Sequence, residues 1–272
     1  MQESVTRTLS GVVYILLLLS ATLYSQYSFS LLFGIFMLIC VVEFCKLIHL
    51  KSSVPILLAL ASYIIFVFFN TVNTKTDMLL TLATLFISAN LILDLFVEKM
   101  RRKEDKIAKF VKLFGYIILP FVLLMKIPFV DGDFNPKIVI GIFILIWTND
   151  TFAYIVGKSM GKHKLLERIS PKKTIEGFIG GLVFTMIGSY ILSCFFTFFS
   201  HSTWIVTGLI IGLLGTVGDL IESKFKRTAG VKDSGKIMPG HGGVLDRLDS
   251  VIFVVPFLYL FYQILNYVHT VS

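Results

Sequence analysis

The chain has 272 residues, of which 56% are hydrophobic and only 15% charged, with a mean hydropathy of +0.84. Soluble domains carry about 25% charged residues, so this balance excludes an ordinary water-soluble core and makes the bilayer the natural solvent. The net charge of +8 could be read as a nucleic-acid signal, but the basic residues are spread over short loops between apolar runs, and no nucleic-acid partner is expected.

Nine apolar runs follow one another, near residues 10–25, 29–49, 54–72, 78–97, 113–130, 138–157, 175–199, 204–222 and 244–267. Each approaches the ~20 residues that cross a hydrocarbon core. The sequence thus predicts an all-α, polytopic integral membrane protein of about nine transmembrane helices. The fifth run holds Pro120 and Pro128 and the ninth Pro256, kinks that neighbouring helices can satisfy. All but three of the 25 Lys and Arg fall on alternate connections, and the positive-inside rule puts those connections in the cytoplasm. The N-terminus is then cytoplasmic and the C-terminus outside. The first run follows a short charged segment with no clean cleavage site and reads as an uncleaved anchor. Helices 1–5 (1–130) form an N-terminal unit, and 131–272 a C-terminal unit that holds the chemistry. Cys40, Cys45 and Cys194 lie inside apolar stretches, read as small buried hydrophobes.

The first strongly basic segment, 99–112, sets Met100, Ile107, Val111 and Phe114 at helical spacing beside Arg101, Arg102, Lys103, Lys106 and Lys109. That pattern predicts an amphipathic helix in an anionic headgroup layer. Glu43 and Lys46, three apart in the second run, read as a neutral pair, and Asp94 in the fourth as a partnered packing group.

In the sixth run Asp150 stands in Asn149-Asp150-Thr151-Phe152-Ala153-Tyr154, where an unpaired aspartate would cost about 3 kcal/mol, so it needs a partner or a role. Ser170-Pro171-Lys172-Lys173-Thr174-Ile175-Glu176-Gly177 follows. Ser170 can cap a helix and Pro171 suits its first position, which makes Lys172, Lys173 and Thr174 an anion site at a helix N-terminus.

Gly208, Gly212, Gly215 and Gly218 stripe the eighth run at small-residue spacing, read as a packing face that could include a homodimer contact. Asp219 and Glu222 end this run, and Asp246 and Asp249 begin the ninth. Each pair is three residues apart and shares a helix face. Four carboxylates so close would repel unless a hard cation joined them, and oxygen ligands favour Mg²⁺ or Mn²⁺. Asp219, Asp246 and Asp249 are the metal candidates, with Asp150 as a fourth. A second, monovalent cation is left open. Between the pairs, Lys226, Arg227, Lys232 and Lys236 supply charge for phosphates, and Pro239-Gly240-His241-Gly242-Gly243 frees backbone N–H groups. His241 could bind phosphate or cap the turn.

The stretch from Ser223 to Asp249 resembles the signature of the phosphatidate cytidylyltransferases, or CDP-diacylglycerol synthases. The matching positions are Ser223, Phe225, Lys226, Arg227, Lys232, Asp233, Gly235, Pro239, His241, Gly242, Gly243, Asp246, Arg247 and Asp249. Met238 is a conservative departure, and the segments 150–154 and 170–177 are also similar to the family. The resemblance covers about the last half of the chain. It implies transfer of a cytidylyl group from CTP to phosphatidic acid, giving CDP-diacylglycerol and pyrophosphate for phospholipid biosynthesis. It further implies Mg²⁺ dependence and a site facing the cytoplasm of a bacterial inner membrane. Asp219, Lys226, Arg227, Asp246, Arg247 and Asp249 are then the catalytic candidates. Lys172, Lys173, Thr174, Ser223, Lys232, Asp233, His241, Gly242 and Gly243 are candidates for substrate binding. A CTP-dependent polyprenol kinase is the nearest rival reading, and a membrane transporter the rival from another class.

Overall fold

The computed structural model describes residues 2–68, 74–97, 105–130 and 132–271. Helices α1 (Gln2–Tyr24), α2 (Gln26–Leu47) and α3 (Ser53–Tyr63), the last continuing as one π-helical turn through Phe68, are followed by α4 (Thr74–Phe96). Next come α5 (Lys106–Leu113), a π turn (Phe114–Ile118) and α6 (Leu119–Lys126), then α7 (Pro136–Met160). A small hairpin, β1 (Lys164–Leu166) and β2 (Ser170–Thr174), precedes α8 (Ile175–Phe195), α9 (His201–Ala229) and α10 (Leu245–Val271).

The described residues of each of the nine apolar runs are mostly helical. Among the described residues, seven helical segments are long and apolar enough to cross a membrane: 26–47, 75–96, 106–129, 136–160, 175–195, 201–229 and 245–268. Thr8–Tyr24 and Ser53–Tyr63 are shorter apolar helices. Their outward faces are apolar too. Leu16, Leu57, Leu79, Phe86, Ile179 and Tyr190 are all exposed, a surface that water would penalise and lipid accepts. The chain is thus a mostly helical, polytopic membrane protein.

Several boundaries differ from the sequence reading. The basic helix expected over 99–112 lies partly outside the described residues. Its described part, from Lys106, runs on without a break into the next span, because π-helical Phe114–Ile118 keeps the backbone paired through the junction. Ser170 and Pro171 do not cap or begin a helix. They lie in β2, antiparallel to β1, and Thr174 is the cap: its Oγ1 accepts from Gly177 N at 3.1 Å. The base of this hairpin, just before β1, is fastened to α8 by Glu176, whose carboxylate accepts from Lys162 N at 3.0 Å and lies 2.6 Å from His163 Nδ1.

Helix α9 extends well past the apolar run, to Ala229. Glu-Ser-Lys-Phe-Lys-Arg-Thr-Ala is polar but built largely of good helix formers. Gly230 ends it at φ 74°, with its N–H on Arg227 O and that of Val231 on Lys226 O, the Schellman closure. Lys226 and Arg227 are therefore helical residues, not loop residues.

Helices α7 to α10 pack in chain order, and glycines set the spacing. A Cβ on Gly177 would stand 2.6 Å from Ala153 O, and one on Gly181 2.7 Å from Asn149 Oδ1, so α7 and α8 approach backbone to backbone. The glycine stripe of α9 is used within the chain. Gly208 and Gly212 face Ser189 and Leu182 of α8, Gly215 faces Asn149 and Ser250, and Gly218 faces the backbone of Asp249 and Ser250.

Candidate active site

The crossing of α9 and α10 at Gly218 fixes the site. A Cβ there would lie 2.7 Å from Phe253 Cβ and 3.0 Å from Asp249 O, so only glycine lets the helices meet this closely. Asp219, Glu222 and Lys226 then project from successive turns of α9 beside the first turns of α10.

Two lysine–carboxylate pairs form around this crossing. Lys173, from the end of β2, places its Nζ 2.6 Å from Asp219 Oδ2. Ser223 Oγ donates to Asp219 Oδ1 at 3.1 Å. This pair is half-open, the Asp219 side chain being 35% exposed. The second pair is deeper. Lys226 Nζ lies 2.7 Å from Asp246 Oδ1 and also contacts Glu222, which is fully buried. Asp246 Oδ2 accepts from Gly243 N at 2.7 Å and from both Ser234 N and Ser234 Oγ at 2.9 Å. Asp249 Oδ1 accepts from Ser250 N at 2.7 Å, while Ser250 Oγ donates to Gly215 O of α9.

The glycine-rich connection is a folded turn. Met238 N donates to Gly242 O and His241 N to Met238 O, both at 2.9 Å, with Gly240 and Gly242 at φ 74° and 87°. Arg247 donates to His241 O at 2.8 and 3.2 Å, tying the turn to α10. His241 also serves as a turn anchor, its Nδ1 lying 2.7 Å from the hydroxyl of Ser10 on α1.

The structure therefore joins Lys173, Asp219, Ser223, Lys226, Asp246, Asp249, Gly243 and, through Glu222, the α9 face into one polar patch. Lys172, Lys232, Asp233 and Arg247 are exposed around it. Arg227 is also exposed and turns aside, to Ile169 O and Val231 O, on the neighbouring hairpin and the helix end. Thr174 is buried as the α8 cap beside Gly157 and Gly161. Asp150 is exposed on α7, one residue past the buried Asn149 that faces Gly215. A separate open groove of about 750 Å³ runs between α7 and α8, apolar along Val156, Ile179 and Val183, with Lys162 and Glu176 at its rim.

Among the described residues, no three His, Cys, Asp or Glu side chains gather as a ready-made metal cluster. The lysines neutralise Asp219 and Asp246 instead. The donor chemistry nevertheless suits a hard cation of the Mg²⁺ kind, which needs only one or two carboxylates and completes its shell with water and substrate phosphate. Asp219 fits best, being half-open and held, among the described residues, by Lys173 and Ser223. Asp249, next to the same crossing, offers a second carboxylate. Asp246 has both oxygens engaged.

Sequence reasoning missed Glu43 and Ser234. Glu43 does not pair with Lys46. Its carboxylate reaches Ser234 Oγ at 3.2 Å and the N–H groups of Val244 and Leu245 at 3.2 and 2.9 Å. A lone acid near the end of an apolar run signals a partner, but its identity lies some 190 residues away in sequence. Asp94 does pair, with Lys112 at 3.2 Å.

Comparison with known proteins extends beyond this patch. The model of the cytidylyltransferase family matches residues 5–265. Proteins named phosphatidate cytidylyltransferase are similar over 118 residues: 56% identical in Staphylococcus aureus (strain COL), 53% in Staphylococcus haemolyticus and 51% in Staphylococcus saprophyticus. That stretch is 43% of this chain, and the chain spans only 45% of the length of each of these curated relatives. Since the family model covers nearly the whole sequence, from α1 to α10, the chain belongs to the cytidylyltransferase family.

Proposed function

We propose that this protein transfers the cytidylyl group of CTP to phosphatidic acid, forming CDP-diacylglycerol and pyrophosphate for phospholipid biosynthesis. The observation that carries the reading is the double lysine–carboxylate patch, Lys173–Asp219 and Lys226–Asp246, set between a glycine-rich turn and exposed cations at one end of a membrane bundle. Such a patch suits a reaction in which two phosphate-bearing anions must meet. The names of the staphylococcal relatives agree with it.

The phosphatidate phosphate is itself the nucleophile and needs no protein base. It attacks the α-phosphorus of CTP in line, and pyrophosphate leaves. The protein positions both anions and offsets their charge. Lys226 and Arg247 hold phosphates, with Lys172, Lys173 and Lys232 around them; Arg227, which turns aside to Ile169 O and Val231 O, would have to swing back to join them. Gly242 and Gly243 let the turn approach the triphosphate, and His241 keeps that turn on α1. Asp219 and Asp249 would hold a hard cation such as Mg²⁺ or Mn²⁺; Asp246 would join them if Lys226 shifted to a phosphate, and Asp150 is a further candidate. The ion, when bound, supplies charge neutralisation between the triphosphate and the attacking phosphate.

In this reading all nine apolar helices cross the bilayer, with the N-terminus inside and the C-terminus outside, in a bacterial inner membrane. CTP reaches the patch from the cytoplasm and phosphatidic acid from the inner leaflet. Residues 1–130 form the scaffold and 131–272 the catalytic unit. A homodimer is compatible with the arrangement.

The deciding assay incubates the purified chain with labelled CTP and phosphatidic acid, with and without Mg²⁺. Magnesium-dependent release of pyrophosphate with labelled CDP-lipid is expected. Release of CDP with a phosphorylated lipid alcohol would instead identify a lipid kinase.

A further inference from the structure

Glu43 stands near the end of α2, far in sequence from every motif discussed above, and is 2% exposed. A buried carboxylate is costly unless its oxygens are matched by donors. Here three donors match it, and all three belong to the signature segment. They are Ser234 Oγ, Val244 N and Leu245 N, at 3.2, 3.2 and 2.9 Å. Val244 and Leu245 open α10, whose first N–H groups have no partners within the helix. Ser234 is shared, since its Oγ also lies 2.9 Å from Asp246 Oδ2.

Two glycines of the segment are explained by the same carboxylate. A Cβ on Gly243 would come within 2.5 Å of both Glu43 oxygens, and one on Gly235 would overlap Oε1. Both glycines leave the room that Glu43 fills. A rigid helix from the N-terminal half therefore holds the loop and the start of α10 from behind, while the polar patch forms on the other side.

We propose that Glu43 is a positioning residue for cytidylyl transfer. Through Ser234 and the first N–H groups of α10 it sets Asp246, and through Asp246 it sets Lys226. It touches neither substrate. Charge-assisted hydrogen bonds from a packed helix hold this arrangement more tightly than the glycine-rich loop could by itself. The inference rests on the reaction proposed above, but its structural half can be read without that reaction.

The test compares the full-length chain with Glu43→Gln, Glu43→Ala, Ser234→Ala and Glu43→Gln/Ser234→Ala in lipid nanodiscs. Turnover of CTP and phosphatidic acid is measured together with amide hydrogen exchange. Glu43→Gln should lower kcat about tenfold or more, with KM for phosphatidic acid within about twofold. Glu43→Ala should lose more, so that the amide partly rescues. The double variant should lose clearly less than the product of the two single losses. Exchange at Val244 and Leu245 should quicken in Glu43→Gln while α7 and α8 stay protected. Wild-type kcat in Glu43→Gln, or uniform loosening of the whole bundle, would overturn the inference. An inactive wild-type protein would defeat the proposed reaction alone, since exchange at Val244 and Leu245 would still report whether Glu43 holds the segment.

Discussion

Helix α10 takes part in two buried ionic clusters, and they are built differently. Near its start, Asp246 meets Lys226 and, through it, Glu222. Thirteen residues later, roughly 20 Å along the helix, Tyr259 Oη donates to Asp77 Oδ2 at 3.1 Å, and Asp77 Oδ1 lies 2.7 Å from Lys126 Nζ. The second cluster joins α4, α6 and α10 and is closed, with side-chain exposures of 10% for Lys126 and 7% for Asp77. The first continues into the half-open Lys173–Asp219 pair and is rimmed by exposed cations and glycine turns. The same residue types thus serve as a lock in one place and as a candidate reaction site in the other. Exposure and backbone access distinguish them, not the presence of charge.

Removing one partner from the closed cluster should have the largest effect. Lys126→Ala leaves Asp77 buried without its cation, a change that typically costs about 3–5 kcal/mol. The expected result is a large loss of thermal stability in detergent, and with it of folded protein. Lys126→Met combined with Asp77→Leu, which removes both charges, should recover much of it. If Lys126→Ala instead kept its melting temperature and lost only turnover, the lock would have to be counted with the active site.

Asp219→Asn probes the open cluster and should invert that pattern. Turnover should fall on the order of a hundred- to a thousandfold, about 3–4 kcal/mol in the barrier, while the melting temperature changes little. Full activity in this variant would remove Asp219 from the cation and the phosphates. Between these extremes, Gly218→Ala should cost about 1–3 kcal/mol through overpacking, because the new methyl meets Phe253 Cβ and the Asp249 backbone. Its signature should be mixed: a lower melting temperature together with weaker turnover, as the crossing that carries Asp219 and Asp249 is pushed apart.

Much of this contrast was legible in the sequence, and the reasons for the rest are physical. Among the described residues the apolar runs are mostly helical, because lipid leaves the backbone no other way to pair within a segment. The meeting of charges at the α9–α10 crossing was legible because acids three apart at the ends of two apolar runs, with bases between, need partners close by, and the structure pairs Asp219 with Lys173 and Asp246 with Lys226. What was not legible is pairing across distance. Nothing local in Glu43 announces Ser234, and nothing in Asp77 announces Lys126 and Tyr259, since an isolated ionisable residue reveals that it has a partner but not which one. The polar end of α9 was readable in principle, from its helix-forming composition and Gly230, but hydropathy alone stops the helix where the apolar residues stop. The hairpin at 164–174 is too short to show an alternating pattern of its own.

The smallest effect should come from the Asp94–Lys112 pair, which resembles the other two in chemistry and differs in setting. Its members lie 3.2 Å apart, but the Asp94 side chain is 47% exposed, so water and salt already screen the attraction. Lys112 also lies over the ring of Phe225, at 5.8 Å from its centroid, a contact that remains when Asp94 is changed. Asp94→Asn should therefore shift stability by less than about 1 kcal/mol, and by less still at high salt. Turnover should stay near that of the unaltered protein. A drop comparable to that of Lys126→Ala would mean that burial does not separate the structural ion pairs of this bundle, and that the contrast between its closed and open clusters has been drawn on the wrong variable.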